Sequence, residues 1–330
     1  MSARFPASLL ATVFLTALAP GSARAFQAKP AATPHEDRIP AGKASLYVRD
    51  IGQGPPIIVL HGGPDFDIGY LLPELDRLAD SFHLLYYDQR GRGKSAAGVE
   101  PKDVSLASEI EDLDLVRRHF QADPVVVLGH SWGAVLALEY ALKYPDRVSG
   151  LILMNPAPAS ASDVTVLREA QRKALGAEMD RQREIIAGAP YQEGDPEAVT
   201  ARYRIHFKPA LLRAQDLDKL MTRMKAGFIS QGKAGIVKAR AVEDRLMADT
   251  WAMNGYDLLP RIRALNIPTL VIYGDHDFIP VTIAQHIADA IPGAHLVTLK
   301  DCGHFAYLEC GDAARRAIDG FFQTPIPRPQ

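Results

Sequence analysis

Cysteine and tryptophan are scarce in this 330-residue chain, with two of each. The thiols Cys302 and Cys310 allow at most one bridge, and no Cys/His cluster has the spacing of a metal site. Neither sign of charge dominates. The formal net charge of −2 leaves no basic patch, so nucleic acid is not an expected partner. Long apolar runs are missing too: Ala7–Ala19 is too short to span a bilayer and no later stretch is longer, so stable membrane insertion is not expected. Repeats and low-complexity tracts are absent. No cofactor is implied.

What is present begins with a processing signal. Arg4 precedes the apolar run, Pro20-Gly21 breaks it, and Ala23-Arg24-Ala25 fits an A-x-A cleavage site. Residues 1–25 therefore read as a signal peptide, and the mature protein as periplasmic or secreted. Residues 26–42, with four alanines and three prolines, read as a flexible leader. What remains is long enough for one sizeable core. Export makes a Cys302–Cys310 disulfide chemically allowed, and it would tie the loop at His304 to the next helix. Spacing alone cannot show that the two Cβ atoms meet, so two unpaired thiols are the preferred expectation.

Apolar runs mark strands at 46–48, 57–60, 84–87, 125–128, 151–154, 270–273 and 296–299. Helical patterns separate most of them, which predicts a mostly parallel central sheet flanked by helices. The alternation stops between 158 and 250, where Ala, Arg, Lys, Glu, Leu and Met dominate. This predicts a helical cap inserted into a core of 43–157 and 251–330. A cap over strand ends restricts substrate size and excludes water, favouring small-molecule substrates. Met221, Met224, Phe228, Ile229 and Met247 are expected to pack helices rather than line a pocket.

The most informative stretch is Gly129-His-Ser-Trp-Gly133, directly after Val125–Leu128 and ahead of helix formers that stop at Pro145. Strand, G-x-S-x-G and helix in that order describe a nucleophile elbow. A serine hydroxyl needs a base, and the base needs an orienting group. With such an elbow the partners follow in the order acid, then histidine. Asp275 and Asp277 follow the strand Thr269–Tyr273. Asp277 is preferred as the acid, with Asp275 supporting the turn and His276 taking no catalytic part. His304 follows the last strand and completes a Ser131, Asp277, His304 triad. His130 is expected to pack the elbow, and His83, His119, His206, His286 and His295 to be ordinary core or surface residues. An oxyanion needs donors as well. These are expected from the Trp132 backbone N–H and from Gly63, preferred over Gly62, in the loop His61-Gly-Gly-Pro64 after Pro56–Leu60.

His61-Gly-Gly-Pro64, Asp88-Gln-Arg-Gly-Arg-Gly-Lys-Ser95, Gly129-His-Ser-Trp-Gly133, Gly274-x-x-Asp277 and Gly303-His304 together resemble the proline iminopeptidase branch of the α/β-hydrolase fold, over roughly residues 45–325. The resemblance implies release of N-terminal residues, often proline, from short peptides, and a structural loop network at Asp88 and Arg90. The chain departs from the branch at Asp65 and His130, where glycines are usual. It also lacks the tryptophan–glutamate cap motif that holds the substrate amine. Glu193, Glu197, Glu243 and Asp244 could supply that charge, but each reads as a solvated helix residue. An aminopeptidase is thus the first expectation and a carboxylesterase or lactonase the second. An acyltransferase or a non-catalytic receptor stands further off. Ser131 speaks against fold relatives that use a carboxylate nucleophile.

Overall fold

Strands form where the apolar runs lie, and one edge strand forms where none was expected. In the computed structural model, which describes residues 32–323, eight strands make a single sheet. They are β1 His35–Ala41, β2 Ala44–Ile51, β3 Pro56–Leu60, β4 His83–Tyr87, β5 Val125–His130, β6 Val148–Met154, β7 Thr269–Gly274 and β8 His295–Leu299. The order across the sheet is β1-β2-β4-β3-β5-β6-β7-β8. β1 and β2 run antiparallel, and every pair from β4 onward is parallel. Ile57 and Val59 of β3 enter one apolar core, while Ile58 and Leu60 enter the other. Burial of both faces is why these strands read as continuous apolar runs rather than alternating ones.

Helix α1 (Leu106–His119) connects β4 to β5, and α2 (Trp132–Lys143) connects β5 to β6. A reciprocal Ser105–Ser108 capping box starts α1. Between β6 and β7 lie α3 (Ala161–Leu175), α4 (Glu178–Ala187), the single turn α5 (Ala189–Gln192), α6 (Pro196–Phe207), α7 (Ala214–Asp249) and the short α8 (Leu259–Ile262). Helix α7 kinks at Gly232, whose φ is 68°. α9 (Val281–Ala290) joins β7 to β8, and α10 (Ala306–Glu309) and α11 (Gly311–Gln323) follow. Met221, Met224 and Phe228 of α7 are buried in the core, whereas Ile229 is 60% exposed.

Two expectations need correction. The leader predicted as flexible over 26–42 contains β1, which pairs with β2 from His35↔Asp50 to Ala41↔Ala44. Only Ile39 and Ala41 of β1 are buried, so the strand carries little apolar signal; its charged residues and Pro40 suit an edge. The segment expected to be a signal peptide, 1–25, and residues 26–31 lie outside the described residues. Second, Cys302 and Cys310 are not unpaired thiols but form a disulfide, with Cα atoms 6.0 Å apart. The chain turns back through α10 after Cys302, bringing the two residues within bridging geometry.

Candidate active site

Ser131 sits between β5 and α2 at φ 56°, ψ −122°, a sparsely populated conformation for a residue with a side chain. The flanking glycines make the turn feasible. A Cβ on Gly129 would fall 2.4 Å from the Gly133 carbonyl oxygen, and one on Gly133 would fall 2.5 Å from that of Leu60. The Ser131 N–H donates to the Met154 carbonyl at 3.0 Å, anchoring the elbow to β6. Strain held this way by its surroundings costs about 1–3 kcal/mol.

The loops after β7 and β8 bring Asp277 and His304 together. His304 Nδ1 lies 3.0 Å from both carboxylate oxygens, with both side chains buried. Ile279 N–H donates to Asp277 Oδ1 at 2.9 Å and Asn155 Nδ2 to Oδ2 at 2.8 Å. With its oxygens held as acceptors, Asp277 requires a proton on His304 Nδ1, which leaves Nε2 free to act as a base. Asn155 was not foreseen. It stands just after β6 at φ +48°, a conformation asparagine tolerates better than most residues. Asp275 takes the supporting role expected of it: its Oδ1 accepts the Cys302 N–H at 3.0 Å and pairs with exposed His276 at 2.7 Å. Asp275, His276 and exposed Asp301 form the one cluster among the described residues whose ligand atoms lie close enough to hold a metal ion. Two hydrogen bonds already occupy Asp275 Oδ1.

Ser131 and His304 line one cavity of about 360 Å³, together with Gly63. The Gly62 N–H is taken by Tyr70 Oη at 2.7 Å, whereas Gly63 lines the cavity. Trp132 is the first residue of α2, so its N–H has no acceptor within the helix. Two amides of this kind beside a serine can stabilise an oxyanion.

His130 braces this arrangement. Its Nε2 is 3.0 Å from the His304 carbonyl, which can only accept, and its Nδ1 is 2.8 Å from Tyr70 Oη. Burial, together with the neighbouring His304, holds His130 well below the usual imidazole range and therefore neutral. The hydrogen bonds run from Gly62 N–H to Tyr70 to His130 Nδ1, and from His130 Nε2–H to His304. This single buried chain joins the glycine loop, the elbow and the histidine loop. Glu309 adds a second tie, accepting from Gly303 N–H and Leu212 N–H at 2.8 Å each. Beneath the glycine loop, Gln89 Nε2 donates to the His61 carbonyl at 2.9 Å. Asp88 accepts from the Ile68 and Lys94 backbone, and Arg90 pairs with Asp112.

The insertion supplies the far wall. Arg202, Tyr203 and His206 of α6 and Glu243 of α7 line the cavity with Asp65, as does Met247, expected only to pack helices. Glu243 is thus not a solvated helix residue, and His206 is not merely a core one. Glu197 and Glu193 face Lys225 and Lys233 instead. Burial, then the charge of Asp65, pushes the Glu243 carboxyl up to about 8. Burial also raises Asp65, against the Tyr203 hydrogen bond and Arg202.

Residues 55–309 match the α/β-hydrolase fold family, and the chain belongs to it. It is a hydrolase, and within that family it is proline iminopeptidase-like. The proline iminopeptidase of Saccharolobus solfataricus is 28% identical over 275 residues, covering 82% of this chain and 85% of that one. A proline iminopeptidase-related protein from Thermus thermophilus aligns with TM-score 0.65 at 24% identity, over 90% of this chain and all of that one. Est816, described as an N-acyl homoserine lactone degrading enzyme, aligns with TM-score 0.63 at 24% identity, over 86% of this chain and all of that one.

Proposed function

We propose that this chain is a serine hydrolase working through an acyl-enzyme, and that it removes N-terminal residues from small peptides. The observation that carries the reading is the buried Asp277–His304 pair, whose imidazole residue lines the same cavity as Ser131. His304 Nε2 takes the Ser131 proton as Oγ attacks the substrate carbonyl, and the Gly63 and Trp132 amides hold the resulting oxyanion. The imidazolium then gives its proton to the leaving amine, and water, activated by the same imidazole, releases the acyl group. The curated proline iminopeptidases support a peptide substrate, and the Glu243 carboxyl in the cavity wall offers an acceptor to a substrate amine.

A second reading, a carboxylesterase or lactonase for small esters, is favoured by Arg202, whose guanidinium on the same wall opposes an ammonium group. Kinetics with Pro- and Ala-arylamides beside short-chain aryl esters, with Ser131→Ala as blank, separates the two. Arylamide turnover supports the peptidase; ester turnover without it removes that reading. Export is proposed as well, on the pattern of residues 1–25. N-terminal sequencing of the exported protein should begin at Phe26, and an intact Met1 would contradict it.

A further inference from the structure

Asp65 is 4% exposed, two residues beyond Gly63. Its Oδ2 accepts the hydroxyl of Tyr203, on α6 of the insertion. Its Oδ1 has no hydrogen-bond partner among the described residues, and it packs against the oxyanion loop: a Cβ built on Gly63 would lie 3.1 Å from it. Tyr203 is itself fixed. Its ring stacks on Phe207 and Phe228 at centroid distances of 5.6 and 5.8 Å, meets Phe66 of the loop edge-on at 4.9 Å, and lies under the Arg202 guanidinium at 4.2 Å. Burying a carboxylate is costly, and an apolar side chain would fill this space more cheaply if packing were all the position required. What the carboxylate adds is a directed bond between the oxyanion loop and the insertion, at the wall of the cavity.

We propose that the Asp65–Tyr203 hydrogen bond latches the helical insertion to the oxyanion loop, making Asp65 a positioning residue that aims the Gly63 amide. The latch rests on the serine-hydrolase reading above and deepens it: the cap shapes the cavity and also holds the catalytic amide in place. A displaced oxyanion donor costs transition-state stabilisation while ground-state binding changes little.

The test uses Tyr203→Phe, Asp65→Ala and the double variant, assayed on whichever arylamide or aryl ester the wild type turns over. Each single variant should lower kcat about 10- to 100-fold with KM within about threefold, and affinity for a boronic acid that mimics the tetrahedral adduct should fall by a similar factor. Because both side chains act through one bond, the double variant should be no worse than the poorer single one. Tyr203→Phe, nearly isosteric, keeps the test sound if Asp65→Ala folds poorly. A Tyr203→Phe enzyme with wild-type kcat, or losses that multiply in the double variant, overturns the latch. If a fluorophosphonate fails to label Ser131 in the wild type, the hydrolase mechanism falls as well. Labelling with unaffected variants overturns the latch alone.

Discussion

Replacing Asp277 by asparagine preserves shape and removes one acceptor, so its effect follows from the hydrogen bonds already described. Ile279 N–H and Asn155 Nδ2 each donate to one carboxylate oxygen, and His304 Nδ1 faces both. An amide offers a single oxygen. Whichever way the substituted amide turns, its NH₂ group meets a donor or forces His304 Nδ1 to become the acceptor. In the second case the proton moves to Nε2, and the imidazole can no longer take a proton from Ser131. Loss of the tautomer and of the charge that steadies the imidazolium should lower kcat by about 10³- to 10⁴-fold. That is about 4–5.5 kcal/mol of transition-state stabilisation. The assay is kcat on an aryl ester or arylamide, normalised to serine titrated by a fluorophosphonate, with a melting curve to confirm folding. Asp275→Asn is the control: its carboxylate supports the Cys302 amide rather than His304, so kcat should stay within about threefold of wild type. A folded Asp277→Asn enzyme within about tenfold of wild type, or an Asp275→Asn enzyme equally impaired, would refute this assignment of the acid.

Glu243 gives stability a pH dependence. Its carboxyl is raised from 4.5 to about 8, so between those values the unfolded chain releases a proton that the folded chain keeps. Stability from this group is full below about pH 4.5 and declines until about pH 8. The wild-type Tm should therefore fall relative to Glu243→Gln across that window; parallel curves would contradict it. The Cys302–Cys310 bridge spans a sequence separation of 8, for which loop-closure entropy gives about 2.5 kcal/mol. Urea unfolding of the Cys302→Ala/Cys310→Ala variant should show a loss of that order, and alkylation of denatured, unreduced wild type should label neither cysteine.

The parallel part of the sheet was legible because strands buried on both faces leave apolar runs, as at Val125–Leu128 and Leu270–Tyr273. β1 was not, because an edge strand buries only Ile39 and Ala41 and is otherwise charged like a leader. The elbow, the glycine loop and the residues Asp277 and His304 carry local motifs whose chemistry demands those residue types, so each could be picked out by position. Asp65, Arg202, His206 and Glu243 carry no such mark. They reach one cavity from a loop and two helices, and no spacing along the chain encodes that meeting. Asn155 had one faint signal, an asparagine directly after a strand. His130 is the reverse case: the expected packing role proved to be a directional hydrogen-bond chain from Tyr70 to the His304 carbonyl.

The proposed mechanism makes catalysis depend on the reactivity of one hydroxyl and on one imidazole that activates it. Mass spectrometry of the protein treated with a fluorophosphonate, in wild type and in His304→Ala, measures both at once. The predicted result is stoichiometric modification of the peptide containing Ser131 in the wild type, slowed by several orders of magnitude in the variant. Modification elsewhere, or labelling of Ser131 at the same rate without His304, would contradict it.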